Sequence, residues 1–451
     1  MSRFTRVVVA LAFASLSLAS TAWAQQSQLD ELEAQLAALK AEIAKLTAGT
    51  PAGSSDLAQR VQQLEGEVEQ LRSGGGGGAA AELKGRMGFA PAASKVYGAK
   101  HGLVIGGYSE LLFERYADER QDGAASGRFD QLDMLRQVVY VGYKFDDRVL
   151  FNSELEFEHG STGKGGEVSV EMAYVDYRPR KGLGVRAGLV LVPMGWTNEQ
   201  HEPPIFRGAK RPEVESAIIP STWREPGIGL FGEAGPLNWR AYLITGLSST
   251  GLNASGIRGA RQSGARARAE DMGVVGRLEL STAAGFTVGA SGYTGESGQG
   301  AQVGGRTLEA RVSIGEAHAQ FERSRWQIRG LAALSRVSDA ALVNAQNNLS
   351  GSSSVGSGQY GWYLQATYAV SSFDKLGTWT LHPFVRYERL DTQDGVPAGF
   401  SESGATDRSV LVAGLDVKPR FNLALKLEFQ RHRNQARSAA NQVNVGLGVM
   451  F

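Results

Sequence analysis

The sequence predicts an all-β fold: a transmembrane antiparallel β-barrel of about 16 strands, preceded by a short α-helical coiled coil. Three observations predict it. From about Lys100 onward, apolar and polar residues alternate with a period of two. The connections between these runs are short and long in turn. The chain ends NQVNVGLGVMF, with Val443, Val445, Leu447, Val449 and Phe451 on one side and Asn444, Gly446, Gly448 and Met450 on the other. In water such a strand needs a second layer over its apolar row, whereas in a membrane barrel lipid covers it.

The first element is an address. MSRFTRVVVALAFASLSLASTAWAQQ places Arg3 and Arg6 before an apolar stretch that ends near Leu18, followed by Ala22-Trp23-Ala24. This is the charged, apolar and small-x-small order of a secretory signal peptide, assigned to residues 1–24. The apolar run is shorter than the roughly 20 residues that span a bilayer.

Residues 25–72 carry two heptad blocks. Leu29, Leu32, Leu36, Leu39, Ile43 and Leu46 form the first, and Leu57, Val61, Leu64, Val68 and Leu71 the second. Steps of three and four residues are the seam of a coiled coil. Pro51 separates the blocks, because it lacks an amide hydrogen and its ring clashes with the preceding turn. Helices this short are marginal alone, which points to self-association. A flexible linker over 73–98 follows, opening with five glycines, Gly74 to Gly78. No GK[ST] follows them and no strand precedes them, so a phosphate loop is excluded.

The barrel is assigned to residues 99–451. LNWRAYLIT sets Leu237, Trp239, Ala241 and Leu243 against Asn238, Arg240 and Tyr242, and FNLALKLEFQ and VLFNSELEFEH alternate in the same way. Strand starts are expected near Gly102, Leu132, Arg148, Glu167, Leu183, Gly227, Leu237, Asp271, Gly285, Thr307, Trp326, Tyr360, Trp379, Arg408, Phe421 and Asn441. FDDR, RKGL, EAGP, TAAG, ERSR, SFDKLGT and KPRF read as short turns, and the remaining connections are mostly long and rich in Gly, Ser, Asp and Arg. Short periplasmic turns alternating with long external loops are an outer-membrane pattern, and an even strand count puts both barrel ends in the periplasm. Trp239, Trp326, Trp379, Phe421 and Phe451 fall at strand ends, where an aromatic girdle belongs.

Composition narrows the function classes. There is no cysteine, which rules out disulfides and thiolate metal sites. A formal charge of +1 argues against a nucleic-acid partner. The 58 glycines and 42% hydrophobic residues are too polar a mix for a helical membrane protein but ordinary for a barrel with a wet lumen.

The stretch EMAYVDYRPRKGLGVRAGLVLVPMGW, continuing to IIPSTWREPGIGLFG, together with the terminal Phe, resembles Gram-negative outer-membrane porins of the phosphate-selective O and P type. The heptad-rich N-terminus is similar to that of trimeric dicarboxylate-uptake porins. The resemblance implies a sixteen-stranded homotrimer that passes small hydrophilic solutes, needs no cofactor and sits in the outer membrane with its coiled coil in the periplasm. Phosphate-selective members are lysine-rich along the pore, whereas the inward positions here are mainly arginine interleaved with glutamate, so phosphate selectivity is not carried over.

Alternation assigns the pore-lining candidates Arg136, Arg186, Arg240, Arg277, Arg311, Arg329, Arg386 and Lys426, with Lys144 and Arg148 beside them. The inward acids are Glu154, Glu156, Glu158, Glu279, Glu309, Glu388 and Glu428. Ten cations against seven acids imply at most a mild anion bias. Cross-strand bracing of the wall is the competing reading.

The stretch from Met194 to Pro226 is the longest connection, stiffened by Pro203, Pro204, Pro212 and Pro220. By resemblance to general porins it folds into the lumen, with Arg207, Lys210, Arg211, Glu213 and Glu215 as constriction candidates. Guanidinium groups suit carboxylate or phosphate solutes. Packing at a trimer interface or outside the barrel is the other reading of this loop.

No catalytic residue can be singled out: the six histidines are scattered, HExxH is absent, and no metal site is assigned. A structural role remains as the second hypothesis, with the barrel as an anchor and the coiled coil reaching peptidoglycan or a partner protein.

Overall fold

A computed structural model of the chain describes residues 85–163, 165–371 and 379–451. The expected signal peptide, coiled coil and glycine run lie outside the described residues.

Among the described residues, sixteen strands form one closed sheet. They are β1 (Gly102–Tyr116), β2 (Gln131–Lys144), β3 (Val149–Glu158), β4 (Val168–Arg180), β5 (Leu183–Leu191), β6 (Arg224–Ala234), β7 (Leu237–Thr245) and β8 (Met272–Ser281). The second half comprises β9 (Phe286–Gly295), β10 (Val312–Arg323), β11 (Trp326–Val337), β12 (Gly358–Tyr368), β13 (Thr380–Asp391), β14 (Asp407–Arg420), β15 (Leu423–Asn434) and β16 (Gln442–Met450). Val370–Ser371 continues β12, pairing with the same neighbour, β13. A short helix α1 (Lys95–Gly98) precedes β1, and α2 (Glu213–Ala217) lies between β5 and β6.

Each strand pairs antiparallel with the next, and β16 returns to β1 with Tyr108 opposite Met450 and Tyr116 opposite Gln442. Closure leaves no edge with unpaired backbone groups. The last strand therefore finishes as it does because its two faces meet different surroundings. Leu103, Ile105, Val274, Leu278, Leu364 and Leu427 stand more than half exposed on the outside. A soluble protein would cover such a band, so lipid is its natural cover.

The loops 117–130, 192–223, 246–271, 296–311 and 338–357 emerge at one end, and tight turns such as 181–182, 235–236 and 324–325 at the other. Both barrel termini lie at the short-turn end. Tyr143, Phe145, Tyr177, Phe286, Trp326 and Phe451 are exposed there as a girdle.

Strand starts fall within three residues of expectation except for β10, which begins at Val312 rather than near Thr307. Gln302–Val303 and Arg306–Thr307 pair with each other as a separate hairpin outside the wall. Two side chains expected inside are displaced as a result. Val312 takes the inward position, so Arg311 falls outside, 59% exposed and paired with Glu296 at 2.8 Å. Glu309 is exposed in the loop. Arg148 lies in the β2–β3 turn rather than on a strand.

Candidate functional site

Two segments enter the lumen, and the inward side chains exist largely to hold them. The first is residues 86–99, expected from composition as the end of a linker. Ala92 and Ala93 donate their backbone amides to the two oxygens of Glu202 at 3.1 and 2.8 Å. Asn152 on β3 donates to the Ala93 carbonyl at 2.8 Å, and Lys144 on β2 to the Ala99 carbonyl at 2.6 Å. Tyr97 on α1 donates to Asp176 at 2.6 Å, and Arg186 bonds both Asp176 and Tyr97. Burial pushes the Tyr97 hydroxyl well above its ordinary pKa. Gly142 makes the approach possible, since a Cβ there would meet Val96 at 2.8 Å.

The second segment is the loop 192–223. Asn198 pins its two ends: its amide donates to the Val192 and Trp223 carbonyls at 2.6 and 2.8 Å, and its oxygen accepts from the Trp223 amide. Glu215 on α2 is fully buried and accepts four hydrogen bonds, from the Trp196 and Thr197 amides, the Thr197 hydroxyl and Tyr363 on β12, all at 2.7 to 2.9 Å. A carboxylate so surrounded is satisfied without a solute.

From there the loop crosses the barrel. Glu199 pairs with Arg240 on β7 at 3.2 Å, and the Gly195 carbonyl accepts from Arg277 on β8 at 2.5 Å. His201 contacts Glu154 on β3 at 3.1 Å. On the far wall, Lys426 caps the Phe206 and Gly208 carbonyls, both at 2.8 Å, Lys418 caps Pro204 at 2.6 Å, and Arg386 reaches the Arg207 and Lys210 carbonyls. Gly208 and Ala209 donate to Asp416 and Glu428. The wall thus supplies cations to carbonyls and acids to amides, so the loop's backbone polar groups are paired away from water.

Most of the side chains that parity places inward are accordingly spent. Arg186, Arg240, Arg277, Arg386 and Lys426 are 6% exposed or less. Arg136 keeps a partly exposed guanidinium between Glu110 and Glu156 at 3.1 and 3.2 Å. Arg329 lies over the Trp196 ring at 4.6 Å and donates to Gln320.

The constriction candidates separate. Glu215 is structural. Arg207 is largely buried beside Asp416 at 3.7 Å, and burial pulls its pKa down. Lys210 reaches Glu114 at 2.7 Å; burial opposes its charge, but Glu114 outweighs burial and the ammonium's pKa is raised. Glu213 faces Arg408 and His432, both at 3.5 Å. Arg211 donates to the Thr222 hydroxyl at 3.1 Å on the long-loop side of the crossing.

Arg211 is joined by two residues that strand parity could not find. Arg261, from the loop 246–271, bonds the Thr222 carbonyl and donates to the Arg258 carbonyl at 2.9 Å. Partial desolvation among the loops, and then the charges of Arg261, Arg211 and Arg136, push Arg258 down to about 10. Arg211, Arg258 and Arg261 form a partly exposed cationic group at the long-loop mouth, with Arg136 behind them held by Glu110 and Glu156. At the other mouth a cavity of about 680 Å³ opens beside Met87, lined by Arg148, Arg178, Arg180 and Lys181 together with Asp147 and Glu233.

Glu202 and Asn198 were also missed. The only sequence signal was their place in a proline-rich loop; nothing local marks them as the joint between loop and N-terminal segment. His201, next to Glu202, has one ring nitrogen at Glu154 and the other at the Asn198 carbonyl.

The described residues thus define a closed sixteen-stranded antiparallel barrel whose longest loop folds inward. The fold is similar to that of the outer membrane channel DcaP of Acinetobacter baumannii, at 14% identity and a TM-score of 0.51, over 77% of this chain and 97% of that one. OmpT of Vibrio cholerae, in its trimer form, matches at 12% identity and a TM-score of 0.49, over 78% of this chain and 100% of that one. No model of a described protein family matches the chain. It is 33% identical over 358 residues to an uncharacterized protein of Aquifex aeolicus (strain VF5), covering 76% of this chain and 79% of that one, and it belongs to the same family.

Proposed function

We propose that the protein is an outer-membrane porin that passes small hydrophilic solutes by passive diffusion, without turnover or cofactor, as a homotrimer. The observation that carries this reading is the loop 192–223, held across the lumen by inward side chains of β3, β7, β8 and β12–β15. A barrel built only as an anchor has no need of a braced crossing with wet mouths on either side. The long-loop end faces outward from the cell, and Arg211, Arg258 and Arg261 there favour anionic solutes, since accessible guanidinium groups recognise carboxylate and phosphate. The buried pairs contribute little to this preference because their charges are already answered.

The test is swelling of liposomes that hold the full chain, with uncharged sugars and dicarboxylates of graded size. Porin function predicts size-limited entry, with dicarboxylates faster than cationic amino acids of equal mass. Liposomes with correctly folded barrel and no swelling in any solute would contradict it.

A second reading draws on the segment 86–99, fixed to the wall through Tyr97, Asp176 and Arg186. That fixation gives whatever precedes it a firm attachment, as an anchor with a periplasmic coiled coil bound to peptidoglycan or a partner protein requires. Deleting residues 25–72 separates the readings, because a porin still conducts and an anchor loses its role.

A further inference from the structure

We infer that residues 86–99 are a removable inner gate: docked, they narrow the short-turn half of the pore and hold the loop 192–223 in place, and drawn out they widen the passage. This rests on the porin reading.

The segment lies directly beneath the loop. Asn152 holds the Ala93 carbonyl, and Glu154, two residues and about 7 Å further along β3, contacts His201 of the loop. Polar contacts join the two layers. The Ala90 amide donates to the Glu199 carbonyl at 3.3 Å, and Gln200 donates to the Gly88 carbonyl at 3.3 Å. Arg240 pairs with Glu199 and also stands against Gly88, where a Cβ would overlap its guanidinium. The tightest tie is Glu202, a fully buried carboxylate whose two oxygens accept from the Ala92 and Ala93 amides. When the segment leaves, the loop gives up both charge-assisted bonds, together with those to Ala90 and Gly88, for contacts with water.

The segment can leave without unthreading. It enters the lumen at the short-turn mouth, beside the cavity at Met87, and returns to the same mouth to begin β1 at Gly102. Gly88 at φ +84° and Gly102 at φ +89° bracket it, and backbone at such angles turns on glycine without side-chain strain. No wall strand has to open. The surface it covers is that of a wet lumen, since Lys144, Asn152, Asp176 and Arg186 lie buried under it. A filler that never moved would be served as well by an apolar wall. Phe89, Val96 and Tyr97, each 5% exposed or less, keep the segment docked at rest.

The experiment expels the segment from the full chain by two routes. Gly142→Leu puts a side chain where Val96 lies, 2.8 Å from a Cβ at 142, and Gly88→Val sets a β-branched residue at positive φ against Arg240. Trypsin cleavage at Lys95 in a barrel that still shows heat-modifiable migration reports that the segment is out. Both variants are then expected to show larger unitary conductance than wild type and to admit larger sugars into liposomes. Exchange of the Ile205 amide, which donates to the Glu202 carbonyl, should quicken about 100-fold, at about tenfold for each charge-assisted bond that Glu202 loses. Wild-type conductance with the segment out would overturn the gate, and so would protection of Lys95 in both variants. Wild-type exchange at Ile205 with the segment out would overturn its hold on the loop. Silence of wild type and both variants falls instead on the porin reading, and exchange at Ile205 still decides whether the segment holds the loop.

Discussion

Replacing Glu215 with alanine removes the acceptor of four hydrogen bonds and releases the loop 192–223 at its most concentrated attachment. The carboxylate is fully buried, and the Trp196 and Thr197 amides have it as their acceptor. Leaving buried donors unpaired costs about 1–3 kcal/mol each. Two amides, with the Thr197 and Tyr363 hydroxyls partly rehydrated, give about 4 kcal/mol against the docked loop. That shifts the balance between docked and displaced loop about a thousandfold. The assay is single-channel recording, with heat-modifiable electrophoretic migration as a check that the barrel is intact. Glu215→Ala should show larger unitary conductance or frequent excursions to a larger level. Glu215→Gln should fall between, because its amide keeps one acceptor oxygen but turns an NH2 toward the backbone donors. Unitary current and noise equal to wild type, from an intact Glu215→Ala barrel, would refute the claim that this carboxylate holds the loop that limits flow.

Other consequences follow from the same contacts. Gly448→Val should expel the loop at Pro203, since a Cβ at 448 would lie 2.5 Å from the Pro203 Cβ; overpacking of about 1–3 kcal/mol should expose Arg207, Lys210 and Arg211 to trypsin in the folded barrel, where wild type resists. Docking of the 86–99 segment should depend on pH through Glu202, which burial raises to about 7, against the pull of the Ala93 and Ala92 amides and with His201 and Glu154 as charged neighbours. The docked state then binds more protons than the undocked state, so docking is strongest below about 4.5 and weakens as pH rises to about 7, by roughly 3 kcal/mol in all. Hydrogen exchange at Ala92 and Ala93 should follow that window, and Glu202→Gln should abolish it. Arg211→Glu with Arg258→Glu should lower the anion-to-cation permeability ratio at least roughly tenfold, at about 1 kcal/mol per unit charge at 4 Å in water; an unchanged reversal potential would remove these residues from selectivity.

The wall was readable because its physics is periodic. Inward Arg240 beside outward Trp239 and Ala241, or inward Lys426 and Glu428 between Leu425, Leu427 and Phe429, follow from the two-residue repeat, and the turn lengths gave the strand order. Parity failed where the repeat breaks: Arg311 sits one residue before β10 begins, and a shift in the β3–β4 register lets Glu171 and Met172 both bury. What inward charges do was not readable. Lys426 faces the lumen as expected, yet its ammonium caps two loop carbonyls, a pairing more than 200 residues apart in sequence with no local signature. The same holds for Glu202 with Ala92 and Ala93, and for Arg258 and Arg261, which an irregular loop brings to the mouth. Composition read residues up to 98 as tether, but Tyr97 and Phe89 are buried against β4, where Phe89 stacks on Tyr174 at 5.7 Å.

The most direct test of a diffusion channel crossed by its own loop is single-channel recording of the purified full chain in a planar bilayer under a KCl gradient. Stepwise currents, grouped in threes, with a reversal potential on the anion side are expected. Silent bilayers from barrels shown to be folded would contradict the channel reading and leave the anchor reading in its place.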